Sequence, residues 1–140
     1  MLDSEAIKDL LPHGNGMSLL DEVEVWDDVS IKCLSKSHLR EDNPIVSPEL
    51  NHSSLLIEYA AQAAAVHAGL LNSNLGENRP AFVGAVKNVE LKQEMIPRCD
   101  APLEIEVKAE LLNGSGAIYD FSVKSESSQI IIGKLVLVQP

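Results

Sequence analysis

The chain has 140 residues, 45% of them hydrophobic, and a mean hydropathy of +0.02, which fits one globular domain over 1–140 and excludes a disordered chain. A net charge of −10 argues against nucleic acid and anionic membranes as partners. Cys33 and Cys99 are far apart without metal-ligand spacing and read as free thiols. The opening MLDSEAIKDLL lacks a basic segment before an apolar run, so no signal peptide and a cytoplasmic location are expected.

Residues 4–11 predict a short helix capped by Ser4, with Ile7, Leu10 and Leu11 on one face and Pro12 and Gly14 as the stop. Segments 18–26 and 30–38 read as strands joined by an Asp27-Asp28 turn, with His38 exposed at the strand end. Residues 40–52, with two prolines, form a loop. Further strands are expected over 81–91, 103–112, 117–124 and 129–138, the last three joined by short turns as a meander.

The remaining stretch, SSLLIEYAAQAAAVHAGLL at 53–71, is the longest predicted helix. Ser53 and Ser54 serve as N-cap candidates, and Gly69 and Asn72 as the stop. The stretch is apolar nearly all the way round, which marks a buried helix. At 1.5 Å per residue it is about 27 Å long, and Glu58, Gln62 and His67 interrupt it. One such helix and five or six antiparallel strands suggest an α+β fold in which the sheet wraps the helix. So few strands leave one helix face open, and a second copy of the chain would seal it.

Glu58 and Gln62 are four residues apart and share a stripe. Composition favours a stripe that meets a polar loop or water; the functional alternative is an acid/base carboxylate at the floor of an apolar slot.

Four blocks carry a resemblance: LLPHGNGMSLLDEV, IEYAAQAAAVHAGLL, FVGAVKNVELKQEMIP and the closing GKLVLVQP. In this order they resemble the hotdog-fold 3-hydroxyacyl-(acyl carrier protein) dehydratases, most closely the branch of the aryl-polyene synthesis clusters. The resemblance implies a homodimer, or a higher oligomer, with a histidine of one subunit and an acid on the partner's core helix facing the substrate. Glu58 matches that acid and Gln62 the glutamine after it, which turns the reading of Glu58 toward function. The chain departs from the family where a GHFPGHP-type segment carries the histidine: DNPIVSPELNH stands there, with Pro44 near the histidine's place. Ser53-Ser54 displaces the glycine that offers a backbone N–H to the thioester.

A replacement base is therefore needed. His52 is the only histidine close before the helix, and the N–H groups of Ser53 and Ser54 are candidates to hold the enolate oxygen. A loop or cap role for His52 is the preferred structural reading. His13 reads as a turn histidine and His67 as a satisfied core histidine. No metal pattern appears, and no resident cofactor is expected, because phosphopantetheine or coenzyme A arrives with the substrate. Tyr59, Phe82 and Val83 are expected to line an acyl slot beside Ala60, Ala61 and Ala64. Arg79, Lys87, Lys92 and Arg98 are the candidates for an acidic carrier protein. Three functions follow: a dehydratase, a silent subunit of a mixed dimer with another hotdog chain, or a thioesterase.

Overall fold

A computed structural model describes residues 2–10, 18–74, 82–113 and 116–138; His13 and Arg79 lie outside them. Helix α1 spans Ser4–Leu10 and α2 spans Leu56–Asn74, preceded by a 3-10 turn at Ser53–Leu55. The strands are β1 (Glu22–Trp26), β2 (Ser30–Ser35), β3 (Phe82–Leu91), β4 (Leu103–Asn113), β5 (Gly116–Ser125) and β6 (Ser128–Val138). They form one six-stranded antiparallel sheet in the order β1-β2-β4-β5-β6-β3. The expected hairpin and meander are both present, and β3 docks on the far side of β6.

Local chemistry explains the elements. The Asp27 carboxylate accepts the backbone N–H groups of Val29 and Ser30, closing the β1–β2 turn. These bonds hold its pKa below the ordinary carboxylate value. Asp3, not Ser4, caps α1 by accepting the Ala6 N–H at 3.0 Å. His52, rather than either serine, caps the turn that opens the long helix. That helix also runs through Gly69 to Asn74 instead of stopping. A Cβ at Gly69 would stand 3.3 Å from Leu10 Cδ2, so the glycine admits α1 against α2 rather than ending the helix.

The inner sheet face and α2 enclose the core. Leu103, Ile105 and Val107 of β4, Tyr119 and Val123 of β5, and Ile131 and Leu135 of β6 are buried against Leu56, Tyr59, Ala60, Ala63, Ala64 and Val66. The window Ser53–Leu71 is long and apolar enough to cross a membrane by length and composition, yet 56% of it is buried inside the fold. Along the other side of α2, Ile57, Glu58, Ala61, Ala65 and Gly69 remain half-buried. Their spacing of three and four makes them one stripe.

The two sheet edges differ. On β1, five residues long and bulged between Val23 and Val25, the backbone of Val23 is already paired with Leu2. On β3, ten residues long, Phe82, Val83, Val86, Val89 and Leu91 are all exposed. A long apolar edge strand is an invitation to pairing.

His67 reports on the core's electrostatics. Its Nε2–H donates to the Asp27 carbonyl at 2.8 Å, and its Nδ1 accepts from the Tyr119 hydroxyl at 2.6 Å. A carbonyl cannot donate, so this arrangement selects one neutral tautomer. The rings of Trp26 and Tyr119 meet it edge-on at 6.4 and 5.5 Å. Burial pushes its pKa below 6.5, against the weaker opposing pull of Asp27 and Asp28. The unfolded chain therefore takes up a proton at a pH where the folded chain does not, so stability is whole above pH 6.5 and drains below it. We expect urea unfolding of the wild type to weaken on acidification through this window, and of His67→Gln to weaken less steeply. Parallel curves would contradict the burial argument.

Candidate active site

The first turn of α2 presents Glu58 half-buried on the open stripe, beside the fully buried Tyr59. Behind it, Gln62 is buried and its Oε1 accepts the Leu19 N–H at 2.8 Å. Gln62 thus anchors the segment before β1 to the helix. Ala60 and Ala64 are buried within the core, whereas Ala61 stays half-buried on the Glu58 stripe.

Ahead of the helix, His52 takes the cap role that was its preferred structural reading, whereas the serine N–H groups are placed differently from expectation. His52 Nδ1 accepts the Ser54 N–H at 3.2 Å and lies 2.8 Å from Ser54 Oγ. Accepting the N–H requires a lone pair on Nδ1, so in the neutral ring the proton sits on Nε2, which is then no base. The Ser53 N–H donates to the Glu94 carbonyl at 2.8 Å. Neither serine N–H is therefore available for an enolate oxygen, which corrects the expectation that they hold one. The Ser53 hydroxyl is buried with no hydrogen-bond partner among the described residues.

His38 is the largest correction. Read from sequence as the exposed end of a strand, it is 1% exposed, and neither ring nitrogen has a hydrogen-bond partner among the described residues. The physical reason is that β2 stops at Ser35 and a 3-10 turn at Ser37–Leu39 carries the chain inward. Arg98 Nη1 donates to the His38 carbonyl at 3.3 Å. Burial, and then the Arg98 charge, push the imidazole pKa below its ordinary value, with Asp21 pulling the other way. The ring is accordingly neutral near pH 7, with a free lone pair on one nitrogen. A signal for this was present in the sequence. The alternation Ile31, Cys33, Ser35 points small polar side chains at the core, where they need partners.

Those partners form a chain of hydrogen bonds. Ser35 Oγ donates to the Leu19 carbonyl at 2.5 Å. It lies 2.8 Å from Ser37 Oγ, which lies 2.7 Å from the Tyr59 hydroxyl. Asn43 Nδ2 donates to the Tyr59 hydroxyl at 2.9 Å and to the Ser37 carbonyl at 2.8 Å. Tyr59 was expected to line the acyl slot; its hydroxyl instead reaches into this buried network.

Phe82 and Val83 face opposite sides of the sheet. Val83 pairs with Leu137, which is buried on the helix side, and Phe82 with the exposed Val138. Only Val83 shares the helix face. Of the basic candidates, Lys87 is exposed opposite Lys134 on β6, Lys92 is 3.6 Å from Glu90, and Arg98 lies against His38. Among the described residues no cluster of His, Cys, Asp and Glu is arranged to hold a metal ion.

Solved structures share this architecture. The dehydratase heterocomplex ApeI:P from Xenorhabdus doucetiae contains a chain 19% identical, with a TM-score of 0.85 over 96% of this chain and 90% of that one. A mutant thioesterase from Pseudomonas aeruginosa is 13% identical, with a TM-score of 0.66 over 99% and 95%. A hypothetical thioesterase from Streptococcus pneumoniae, solved with coenzyme A, is 11% identical, with a TM-score of 0.62 over 85% and 84%. These likenesses show the hotdog fold. No curated protein matches the sequence. The family model of the ApeP-like group, described as ApeP dehydratase, matches residues 5–140, and the chain belongs to that ApeP-like dehydratase family.

Proposed function

We propose that the protein is a hotdog subunit that dehydrates 3-hydroxyacyl thioesters, with His38 as the base and Glu58 as the acid. The observation that carries this reading is a neutral imidazole held inside the fold, both ring nitrogens without a hydrogen-bond partner among the described residues. Buried polar atoms are normally satisfied, so an orphaned imidazole is a group kept available for something that binds. In the reaction the base nitrogen takes the proton from the carbon next to the thioester carbonyl. The C–H electron pair becomes the new C–C double bond as the bond to the 3-hydroxyl breaks. Glu58 delivers a proton to that oxygen, and water leaves. The acyl carrier is an acyl carrier protein or coenzyme A, and the setting is cytoplasmic synthesis of polyene-type acyl chains.

The half-buried Glu58 stripe and the exposed β3 edge both favour work in an assembly with a second hotdog subunit. The ApeI:P structure is a heterocomplex, which makes a distinct hotdog chain a specific candidate for that partner. Covering the remaining exposure of the five apolar side chains of β3, 39–45% each, would supply about 1 kcal/mol apiece. A single charge at the centre of that edge is then disruptive. Val86→Lys should shift the assembly toward monomer in light scattering, whereas an unchanged mass would place the partner elsewhere.

His38→Asn and Glu58→Gln should each lower enoyl formation from a 3-hydroxyacyl thioester by about 10²–10⁴-fold, the usual worth of a general acid or base. His52→Ala should leave turnover within a few-fold, because the ring serves as a cap. Loss with His52→Ala and retention with His38→Asn would reverse the assignment. If wild-type assemblies form no enoyl but release free thiol, the thioesterase reading takes its place.

The pH profile carries a separate expectation. A base works deprotonated, and His38 is held below pH 6.5, so its active fraction rises as pH climbs through that lowered value. The acidic limb of kcat/KM should inflect below pH 6.5. A limb centred above 6.5 would point to a different group.

A further inference from the structure

We propose that Tyr59 is the positioning residue for His38, its hydroxyl locking the 3-10 turn from which the imidazole projects. The inference rests on the reading of His38 as the base and deepens it.

The ring of His38 makes no hydrogen bond to the described residues, so its aim is set by the backbone of the Ser37–Leu39 turn and by packing. The other described histidines differ. His52 is held through Nδ1 by Ser54, and His67 through both nitrogens by Tyr119 and Asp27. What holds the turn therefore holds the base.

The hydrogen-bond network at that turn has a direction. The Leu19 carbonyl can only accept, so it takes the single proton of Ser35 Oγ. Between Ser35 and Ser37, the proton must then come from Ser37. Between Ser37 and Tyr59 it must come from the phenol, and the Tyr59 oxygen accepts from the Asn43 amide. Donation thus runs one way from Asn43 through Tyr59, Ser37 and Ser35 to Leu19. Asn43 closes the loop from the other side by donating to the Ser37 carbonyl. Its Oδ1 accepts the N–H groups of Ile45 and Val46 at 2.8 Å, so the amide cannot flip without losing both. Ser37 and Tyr59 are 0% exposed, and water does not replace a missing partner there without a cavity to hold it.

Removing one oxygen, as in Tyr59→Phe, leaves the Ser37 oxygen without the phenol donor and Asn43 with one amide hydrogen unpaired. Both defects fall on the turn that carries His38. The phenol ring, which packs the core, is untouched. Tyr119→Phe is the matched control: it removes an equally buried phenol hydroxyl, one bonded to His67 instead.

The test follows the ring nitrogens of His38 by 15N NMR, together with kcat and KM in the assembly that turns over. Tyr59→Phe should displace the His38 resonances and lower kcat about tenfold or more with KM little changed, as expected for a misaimed base. Tyr119→Phe should displace His67 and leave His38 and kcat near wild type. Ser37→Ala interrupts the same chain one link on and should act in the same direction, should Tyr59→Phe fold poorly. His38 signals unmoved by Tyr59→Phe, or moved equally by Tyr119→Phe, would overturn the proposal. Wild-type turnover by His38→Asn would instead overturn the assignment of the base, while the NMR comparison still decides the link to Tyr59.

Discussion

The structure depends on one constraint: a nineteen-residue helix without a polar face must be covered on every side. The sheet supplies cover for Leu56, Tyr59, Ala60, Ala63, Ala64 and Val66, all fully buried. It does not reach the stripe from Ile57 to Gly69, which stays half-buried. The only long sheet edge with unpaired apolar side chains, among the described residues, is β3. Open helix stripe and open strand are two parts of one shortfall in burial. A partner chain pairing with β3, as proposed, would extend the sheet over ground the single chain does not cover.

How much of this could be read from the sequence depended on whether a signal was local. The turns at Asp27 and the apolar periodicity of β4, β5 and β6 were legible, because each rests on side chains within a few residues of one another. The long helix was legible for the same reason. Its ends were not. Gly69 resembles a stop signal, but its missing side chain answers to Leu10, nearly sixty residues earlier. The cap role of His52 was legible, since an imidazole nitrogen can accept as a serine oxygen does.

His38 was missed because its burial is decided at long range. The alternation up to Ser35 hints at a buried polar end, but it does not say that the chain turns inward there. That follows from Tyr59 and Asn43, which offer the partners that make burying Ser37 tolerable. Without them, Ser37 would keep only its bonds to Ser35, and a solvent-facing strand end would be the cheaper conformation. A sequence match to a histidine motif also looks for fixed spacing from Glu58. His38 stands on a turn that the loop over 40–52 separates from the helix, outside any such spacing.

The same burial bears on which chemistry suits the site. A hotdog hydrolase must admit water to a thioester and leave it there at the moment of attack. An elimination must do the opposite, because a thioester polarised for loss of its neighbouring proton is also ready for hydrolysis. On the proposed reading, a base that is 1% exposed, on a turn held by a chain of buried hydroxyls, suits the second task. That same desolvation lowers the imidazole's pKa, so excluding water also keeps the ring unprotonated at neutral pH, at some cost in base strength. Opening the site to admit water would raise the imidazole's pKa toward its ordinary value and loosen the turn that aims it. On that reading, the burial that keeps His38 unprotonated also disfavours hydrolysis.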